Sequence, residues 1–288
     1  MNYYVIIPTY NEEKYISLTL QSLVEQTILP SKIVVVNDNS TDATEAIVHS
    51  FISKYPFISL VNKNSDAIHL PGSKVIQAFK KGYDTLDEHY DLIAKLDADL
   101  IFPSHYFETI INHFKSDERI GMVGGFCYIE KNGTWILENL TGKDHIRGAL
   151  KTYRKKTFKE IGGLKAEMGW DTVDELLCKF YNWKIVTDQN LHVKHLKPTG
   201  AKYNQAARFK QGEAFYRLGY GFWITAIASM KLALMKKKPM LFWDYMRGFW
   251  KAKKAKKTLL VTEAQAKFIR RYRWNKMKEK LFLMVIFY

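Results

Sequence analysis

The chain of 288 residues is 47% hydrophobic and 25% charged, which excludes a disordered or fibrous protein and allows one large domain or a domain with an appendage. Its net charge of +15 is unevenly divided: residues 1–200 carry 23 Lys+Arg against 25 Asp+Glu, and residues 201–288 carry 21 against 4. Two cysteines, Cys127 and Cys178, are too few for a disulfide framework and lack metal-site spacing, which favours a reducing compartment.

The first half alternates strand and helix signals. Tyr4–Ile7 is a short apolar run closed by Pro8, and nothing before it has the basic region or cleavage site of a secretory signal. Ile16, Leu20, Leu23 and Val24 recur at i, i+4, i+7 and i+8, predicting a helix with one apolar face that ends before Pro30. Ile33-Val34-Val35-Val36 is a β-branched run of the kind that parallel sheets bury on both faces. Asp42-Ala43-Thr44-Glu45 has capping-box spacing and predicts a second helix through Ile47, Val48 and Phe51. A third strand over Ile58–Val61 and a third helix from Pro71 to Glu88 follow. Next come a fourth strand over Leu92–Leu96 and a fourth helix over Pro103–Phe114. This alternation predicts an α/β fold, right-handed βαβ units around a mostly parallel sheet.

From Ile120 to Pro198 the regularity weakens. Strands are expected over Met122–Ile129 and Trp183–Val186, a hairpin turn at Asn132-Gly133 and a helix over Asp171–Tyr181. Beyond Pro198 the chain turns helical, aromatic and basic. The composition therefore divides it near 200, into a body of 1–200 and an extension of 201–288.

Open α/β sheets bind ligands at the carboxyl ends of their strands. There the sequence places Pro8 to Glu13, Asn37 to Asp42, and Asp97-Ala98-Asp99. No G-x-G-x-x-G follows the first strand and no Walker-type loop is present, so a metal or side chains must neutralise any bound phosphate. Asp97 and Asp99 leave an apolar strand and offer hard oxygen ligands suited to Mg2+ or Mn2+ on a diphosphate. Further on, Asp171, Asp174 and Glu175 gather at a predicted helix start, with Asp171 and Asp174 on one face. Such a group serves either as a general base whose pKa is raised among like charges, or as acids that stabilise a helix N-terminus.

Read together, these residues resemble a family-2 glycosyltransferase of the GT-A fold. That fold is a nucleotide-diphospho-sugar transferase architecture with a mostly parallel, Rossmann-like sheet, here followed by a helical C-terminal extension. The resemblance rests on Val5-Ile6-Ile7-Pro8-Thr9-Tyr10-Asn11-Glu12-Glu13, on Val36 to Asp42 and on Leu96-Asp97-Ala98-Asp99. A bacterial subgroup also shares Asp144-His145-Ile146-Arg147-Gly148, Tyr153-Arg154-Lys155, Ile161-Gly162-Gly163-Leu164 and Gly169-Trp170-Asp171-Thr172-Val173-Asp174-Glu175. Residues 3–220 are covered. Asn37-Asp38-Asn39 departs from the family's Asp-Asp-Gly. The Gln-x-x-Arg-Trp signature of processive synthases is missing, which argues against a polymerising enzyme.

The resemblance implies a metal-dependent, inverting transfer of sugar from a nucleotide-diphospho-sugar to a lipid-linked or polysaccharide acceptor. Pro8, Thr9, Tyr10, Glu12 and Asp38 would line the nucleoside pocket, with Asp38 accepting from a base N–H. Asp99 would bind Mn2+ or Mg2+ directly, and Asp97 would contact the ribose or metal-bound water. Asp171 is the first candidate base, because it aligns with the acid of the family's Glu-Asp motif; Asp174 and Glu175 stay open. His192 and His195 face opposite ways on a strand, so only one could be the histidine that reaches the metal; His195, directly before Leu196-Lys197-Pro198, fits better, and a purely structural histidine is the alternative. Arg147 and Arg154 fit contacts to diphosphate or acceptor, and exposed surface charges are the alternative reading. Two rival readings keep the same features: a nucleotide-binding protein of this fold without transfer activity, and a nucleotidyltransferase that releases pyrophosphate.

In the tail, Leu218–Met230 is a charge-free apolar run of 13 residues, short of the roughly 20 a spanning helix needs. Aromatics from Phe215 to Trp250 are flanked by Lys236-Lys237-Lys238 and by the lysines of 251–257, and Leu281–Tyr288 forms an apolar end. Aromatics and lysines without a full span read as helices lying in a membrane interface. A folded helical subdomain with a basic face is one rival; single-stranded nucleic-acid binding is another, but no nucleic-acid module accompanies it. The expected setting is cytoplasmic, peripheral to the inner face of the cell membrane. The expected partners are a nucleotide-sugar, a lipid-linked or glycan acceptor and anionic lipid, with no nucleic acid.

Overall fold

The computed structural model describes residues 1–64, 72–138, 142, 144–197 and 208–286, with side chains up to 279. Two units emerge: Met1–Ala166 with Tyr181–Ala201, and Glu167–Phe180 with Lys202–Tyr288. The division expected at 1–200 and 201–288 is thereby corrected in one place. Glu167–Phe180, which carries all three candidate bases, groups with the extension rather than the body.

The first unit opens with β1 (Tyr3–Thr9), α1 (Ile16–Val24), β2 (Lys32–Asp38), α2 (Thr44–Ile52), β3 (Ile58–Lys63), α3 (Ser73–Tyr83) and β4 (Leu92–Leu96). β1 pairs in parallel with β2 and β4, and β3 extends the parallel set beyond β2. These strands are apolar on both faces because helices cover both: Ile6, Ile7, Val34 and Val35 are all buried. α3 packs closest at Gly82, where a Cβ would lie 2.7 Å from Val36 Cγ2. The second helix starts one residue off the expected capping box. Asp42 accepts from the Thr44 N–H at 3.0 Å and from its hydroxyl, while Glu45 turns to Asn37 at 3.1 Å and Asn62 at 3.0 Å. The third helix is shorter than expected; Pro71, its predicted start, lies outside the described residues.

Next come β5 (Leu100–Ile101), α4 (Tyr106–Ser116), β6 (Ile120–Lys131), β7 (Thr134–Leu137), β8 (Leu150–Arg154), α5 (Lys155–Glu160) and, after α6 (Trp170–Phe180), β9 (Lys184–His195). One sheet of order β3-β2-β1-β4-β8-β6-β9-β5 results, with β7 paired to β6. The parallel half is as expected, and beyond it the sheet is mixed: β8 runs antiparallel between β4 and β6, whereas β6 and β9 are parallel. Asn132 (φ 52°) and Gly133 (φ 76°) close the β6–β7 hairpin in the left-handed conformations that its two-residue turn demands. The short β5 positions the site. It pairs Leu100 with His195, and the Leu196 N–H donates to the Asp99 carbonyl at 2.9 Å.

The second unit joins α6 to α7 (Lys210–Arg217), α8 (Gly221–Met235), α9 (Met240–Lys254) and α10 (Glu263–Ile286). α7 and α9 approach backbone to backbone at two glycines. A Cβ on Gly212 would lie 1.7 Å from the Tyr245 carbonyl oxygen, and one on Gly248 would lie 2.0 Å from that of Phe209. Gly212→Ala is therefore expected to force the helices apart and destabilise this unit by about 1–3 kcal/mol. A lowered urea midpoint of the helical signal checks this; an unchanged midpoint would show that the crossing tolerates a methyl group. No helix among the described residues is long and apolar enough to cross a membrane. The side chains of the expected apolar end, Leu281–Tyr288, lie outside the described residues.

Candidate functional site

The loops after β1, β2 and β4 line a cleft of about 640 Å³ in the first unit. Pro8, Thr9, Tyr10, Glu12 and Asp38 all line it, joined by Asp97 and Asp99. Two lysines that the sequence did not single out, Lys74 on α3 and Lys197 just after β9, line it as well.

Asparagines shape the first two loops. Asn11 (φ 54°) and Asn39 (φ 61°) both adopt the left-handed conformation that asparagine tolerates better than most side chains. Asn39 thus adopts at this position a left-handed backbone conformation that glycine also adopts readily. Asn37 donates to Glu45 and Asn62 and accepts from the Ser40 N–H at 3.1 Å, so it holds the loop rather than facing the cleft. Asn11 Oδ1 accepts from the Thr41 N–H at 2.8 Å and ties the two loops together. Thr9 spends its hydroxyl on the Val36 carbonyl at 3.0 Å and lends the cleft shape rather than a free hydrogen bond. Asp38 is paired with Lys63 at 3.3 Å.

Thr19 on α1 clamps the turn between β4 and β5. Its hydroxyl donates to the Ala98 carbonyl at 2.7 Å and accepts from the Leu100 N–H at 3.1 Å. Asp99 is thereby fixed in a buried position. Its Oδ2 lies 3.5 Å from His195 Nε2, while its Oδ1 has no hydrogen-bond partner. His195 Nδ1 lies 2.7 Å from Oε2 of Glu138, and Glu138 in turn pairs with Arg147. Burial alone would lower the pKa of His195, but the Asp99 and Glu138 carboxylates outweigh it and raise the value above the usual range. A carboxylate at each ring nitrogen favours either the doubly protonated ring or a cation in place of the second proton.

Asp97 is held differently. It pairs with the fully buried Lys95, which also donates to the Gly148 carbonyl at 2.9 Å. Glu12 bonds Lys197 at 2.9 Å through one oxygen, and the other is buried without a partner. Burial, with the negative charges of Asp99 and Asp97, raises the Glu12 pKa against the opposing pull of Lys197.

These residues fit a hard divalent cation. Asp99 offers a buried, unsatisfied carboxylate oxygen beside an imidazole, and unsatisfied buried oxygens are costly without a partner. Lys63, Lys95 and Lys197 pair with Asp38, Asp97 and Glu12, so these ammonium groups are already engaged by the cleft's carboxylates and a diphosphate gains from an added cation. Cys127, Glu138 and His195 form a second candidate group, with ligand atoms within 4.8 Å of one another. Here burial pushes the Cys127 thiol up to about 12, and Glu138 is committed to His195 and Arg147. We read that triangle as the support of His195. Were His195 to hold Mn2+, Glu138→Gln would be expected to weaken that affinity by about tenfold, the scale on which loss of an outer carboxylate acts at metal-binding histidines. Titration calorimetry with Mn2+, alongside a circular-dichroism check of folding, measures it; an unchanged dissociation constant would reject the role.

Two sequence expectations need revision. Arg154 donates to the carbonyls of Ile120 at 2.9 Å and Phe114 at 2.7 Å, so it clamps the turn between α4 and β6 rather than a ligand. Arg147 faces Glu138 rather than offering its charge directly to a diphosphate. His192 is exposed and His195 buried, as strand alternation requires. Asp171, Asp174 and Glu175 lie on α6, in the second unit. Asp171 is half-buried, whereas Asp174 and Glu175 are buried, with the Glu175 N–H donating to Asp174 Oδ1 at 2.7 Å.

A family model, Glycosyl transferase family 2, matches residues 4–166. An uncharacterized glycosyltransferase of Mycoplasma genitalium is 32% identical over 178 residues, which are 57% of this chain and 57% of that protein. The minor teichoic acid biosynthesis protein GgaA of Bacillus subtilis is 26% identical over 140 residues, 47% of this chain and 30% of that protein. The chain spans a little over half the length of the Mycoplasma relatives it matches. Among solved structures, the mannosyltransferase PcManGT of Pyrobaculum calidifontis with GDP-Man and Mn2+ superposes with a TM-score of 0.54 at 15% identity, covering 96% of this chain and 80% of that one. TarS of S. aureus with UDP-GlcNAc gives 0.54 at 18% identity, covering 81% of this chain and 67% of that one. The shared architecture is the GT-A fold.

Proposed function

The chain belongs to glycosyl transferase family 2, and from that premise we propose that it transfers a glycosyl group, with inversion, from a nucleotide-diphospho-sugar to a lipid-linked or polysaccharide acceptor. The observation that carries this reading is Asp99, a buried carboxylate with one unsatisfied oxygen, set beside His195 at a cleft that also holds Asp38. GDP-Man, UDP-GlcNAc and Mn2+ in structural neighbours support the donor class and a divalent cation. Bound by Asp99 and His195, Mn2+ or Mg2+ would offset the charge of the departing nucleoside diphosphate.

Asp38 accepts from the base, and Tyr10, exposed at the cleft, offers a ring face to it. Lys74 and Lys197 add positive charge for the diphosphate. Lys95 fixes Asp97 so that its other oxygen serves the ribose or metal-bound water. Asp171 takes the proton of the acceptor hydroxyl as that oxygen attacks the sugar from the face opposite the leaving group. It is the most accessible of the three α6 acids, which favours it over Asp174 and Glu175. The basic second unit holds the enzyme peripherally on the cytoplasmic face of the cell membrane.

The test is incubation of the full chain with UDP-, GDP- and dTDP-sugars, Mn2+ and candidate acceptors. Metal-dependent release of a nucleoside diphosphate is expected. In a parallel incubation with nucleoside triphosphates and sugar 1-phosphates, formation of a nucleotide-sugar with release of pyrophosphate would make the chain a nucleotidyltransferase, and nucleotide binding without turnover in either incubation would make it a binding protein of the same fold.

A further inference from the structure

α8 breaks the rule that a surface helix has one polar side. Its 15 residues, Gly221–Met235, include a single charge, Lys231. Ile224, Thr225, Ser229 and Ala233 are buried within the second unit. The opposite side should then be polar, yet Trp223, Ile227, Met230 and Leu234, at i, i+4, i+7 and i+11, form one exposed apolar stripe, with Trp223 69% and Leu234 70% exposed. On the neighbouring α9 the exposed stripe at the same spacing is Trp243, Arg247, Trp250 and Lys254. The two helices pack against each other, with Phe222 and Trp250 ring centroids 5.9 Å apart, and the exposed Lys236, Lys237 and Lys238 fill the connection between them.

Water is a poor neighbour for the α8 stripe, and contiguous exposed apolar surface marks an interaction site. The charge around it selects the partner. Residues 201–288 carry 21 Lys+Arg against 4 Asp+Glu, so a second copy of this unit would bring like charges together, whereas an anionic bilayer would compensate them. Tryptophans alternating with Arg247 and Lys254 match the headgroup level, where rings sit at the boundary and cations meet lipid phosphates. At about 1.5 Å per residue α8 is about 22 Å long, too short for a hydrocarbon core of about 30 Å, so it can enter one leaflet but not cross.

We propose that α8 inserts its Trp223–Ile227–Met230–Leu234 stripe into an anionic bilayer, with the α9 tryptophans and cations seated at the headgroups. The inference rests on the peripheral-membrane part of the function proposed above and names the surface that performs it. Attachment then has two parts: a salt-sensitive one from the cations and a salt-resistant one from the inserted side chains.

The experiment is flotation of the full chain with phosphatidylcholine vesicles, with and without phosphatidylglycerol, at low and high salt. Trp223→Ser/Leu234→Ser is compared with Arg247→Gln/Lys254→Gln. Because all four side chains are exposed, both variants should keep the parental melting curve and nucleotide-sugar turnover in solution. The first variant should lose at least about tenfold of its binding at high salt, the scale expected for two large apolar groups no longer buried. The second should lose binding mainly at low salt. Equal flotation of the first variant and the parent at high salt would overturn insertion by this stripe. A parent that ignores anionic vesicles but forms a dimer that the first variant dissolves would make the stripe a contact between copies. Either result leaves the glycosyl-transfer reading standing, because turnover is measured separately.

Discussion

Asp99→Asn is expected to lower glycosyl transfer by at least about a hundredfold and to abolish its dependence on Mn2+ or Mg2+. The substitution is nearly isosteric, so the Thr19 clamp and the β5–β9 pairing that fix the turn remain. What disappears is the negative charge on the buried oxygen that has no hydrogen-bond partner. Without it, the cleft loses the charge that would recruit a cation to offset a diphosphate, because Lys197, Lys63 and Lys95 are already paired with Glu12, Asp38 and Asp97. Asp97→Asn provides the contrast. Asp97 compensates the buried ammonium of Lys95, so its loss should lower stability while retaining measurable metal dependence. Mn2+ titration of turnover and thermal melts of both variants separate the two roles. An Asp99→Asn enzyme with parental rate and metal dependence would remove the metal site from Asp99.

The parallel half of the sheet was legible because each strand is a continuous apolar run and each helix has a clean apolar period. Ile33–Val36 and the face through Ile16, Leu20 and Leu23 left little choice. The later half was not. β8 reads Leu-Lys-Thr-Tyr-Arg, and its Lys151 and Thr152 are buried, so neither alternation nor an apolar run marks it. β5 is two residues long, below anything a pattern can register, yet its pairing with β9 brings Asp99 to His195. Pro8, Thr9, Tyr10, Glu12, Asp38, Asp97 and Asp99 were legible because they follow the carboxyl ends of predicted strands, whereas Lys74 on α3 and Lys197 after β9 were not. Glu138 was not, since it follows a short edge hairpin and reaches His195 across 57 residues of sequence. Lys95 carried a signal that pattern reading passes over: a lysine inside an otherwise apolar strand must meet a carboxylate or carbonyls once buried.

Asp171→Asn is expected to reduce kcat by about a hundredfold to ten-thousandfold, the usual contribution of a general base, with donor and metal affinity nearly unchanged. The separation follows from the chemistry. The base acts on the acceptor hydroxyl, whereas donor and metal contacts are assigned to the first unit. Asp171 stands in the first turn of α6, half-buried, and is the most exposed of the three candidate acids on that helix. Asp174 is buried and engages the Glu175 N–H, so Asp174→Asn and Glu175→Gln should act mainly through stability. Rate and melting temperature, measured together, distinguish these effects. If Asp174→Asn loses kcat at an unchanged melting temperature while Asp171→Asn does not, the base moves one turn along the helix. If no single variant lowers kcat, the three acids serve only to favour the start of α6, and the proton of the acceptor hydroxyl leaves by another group.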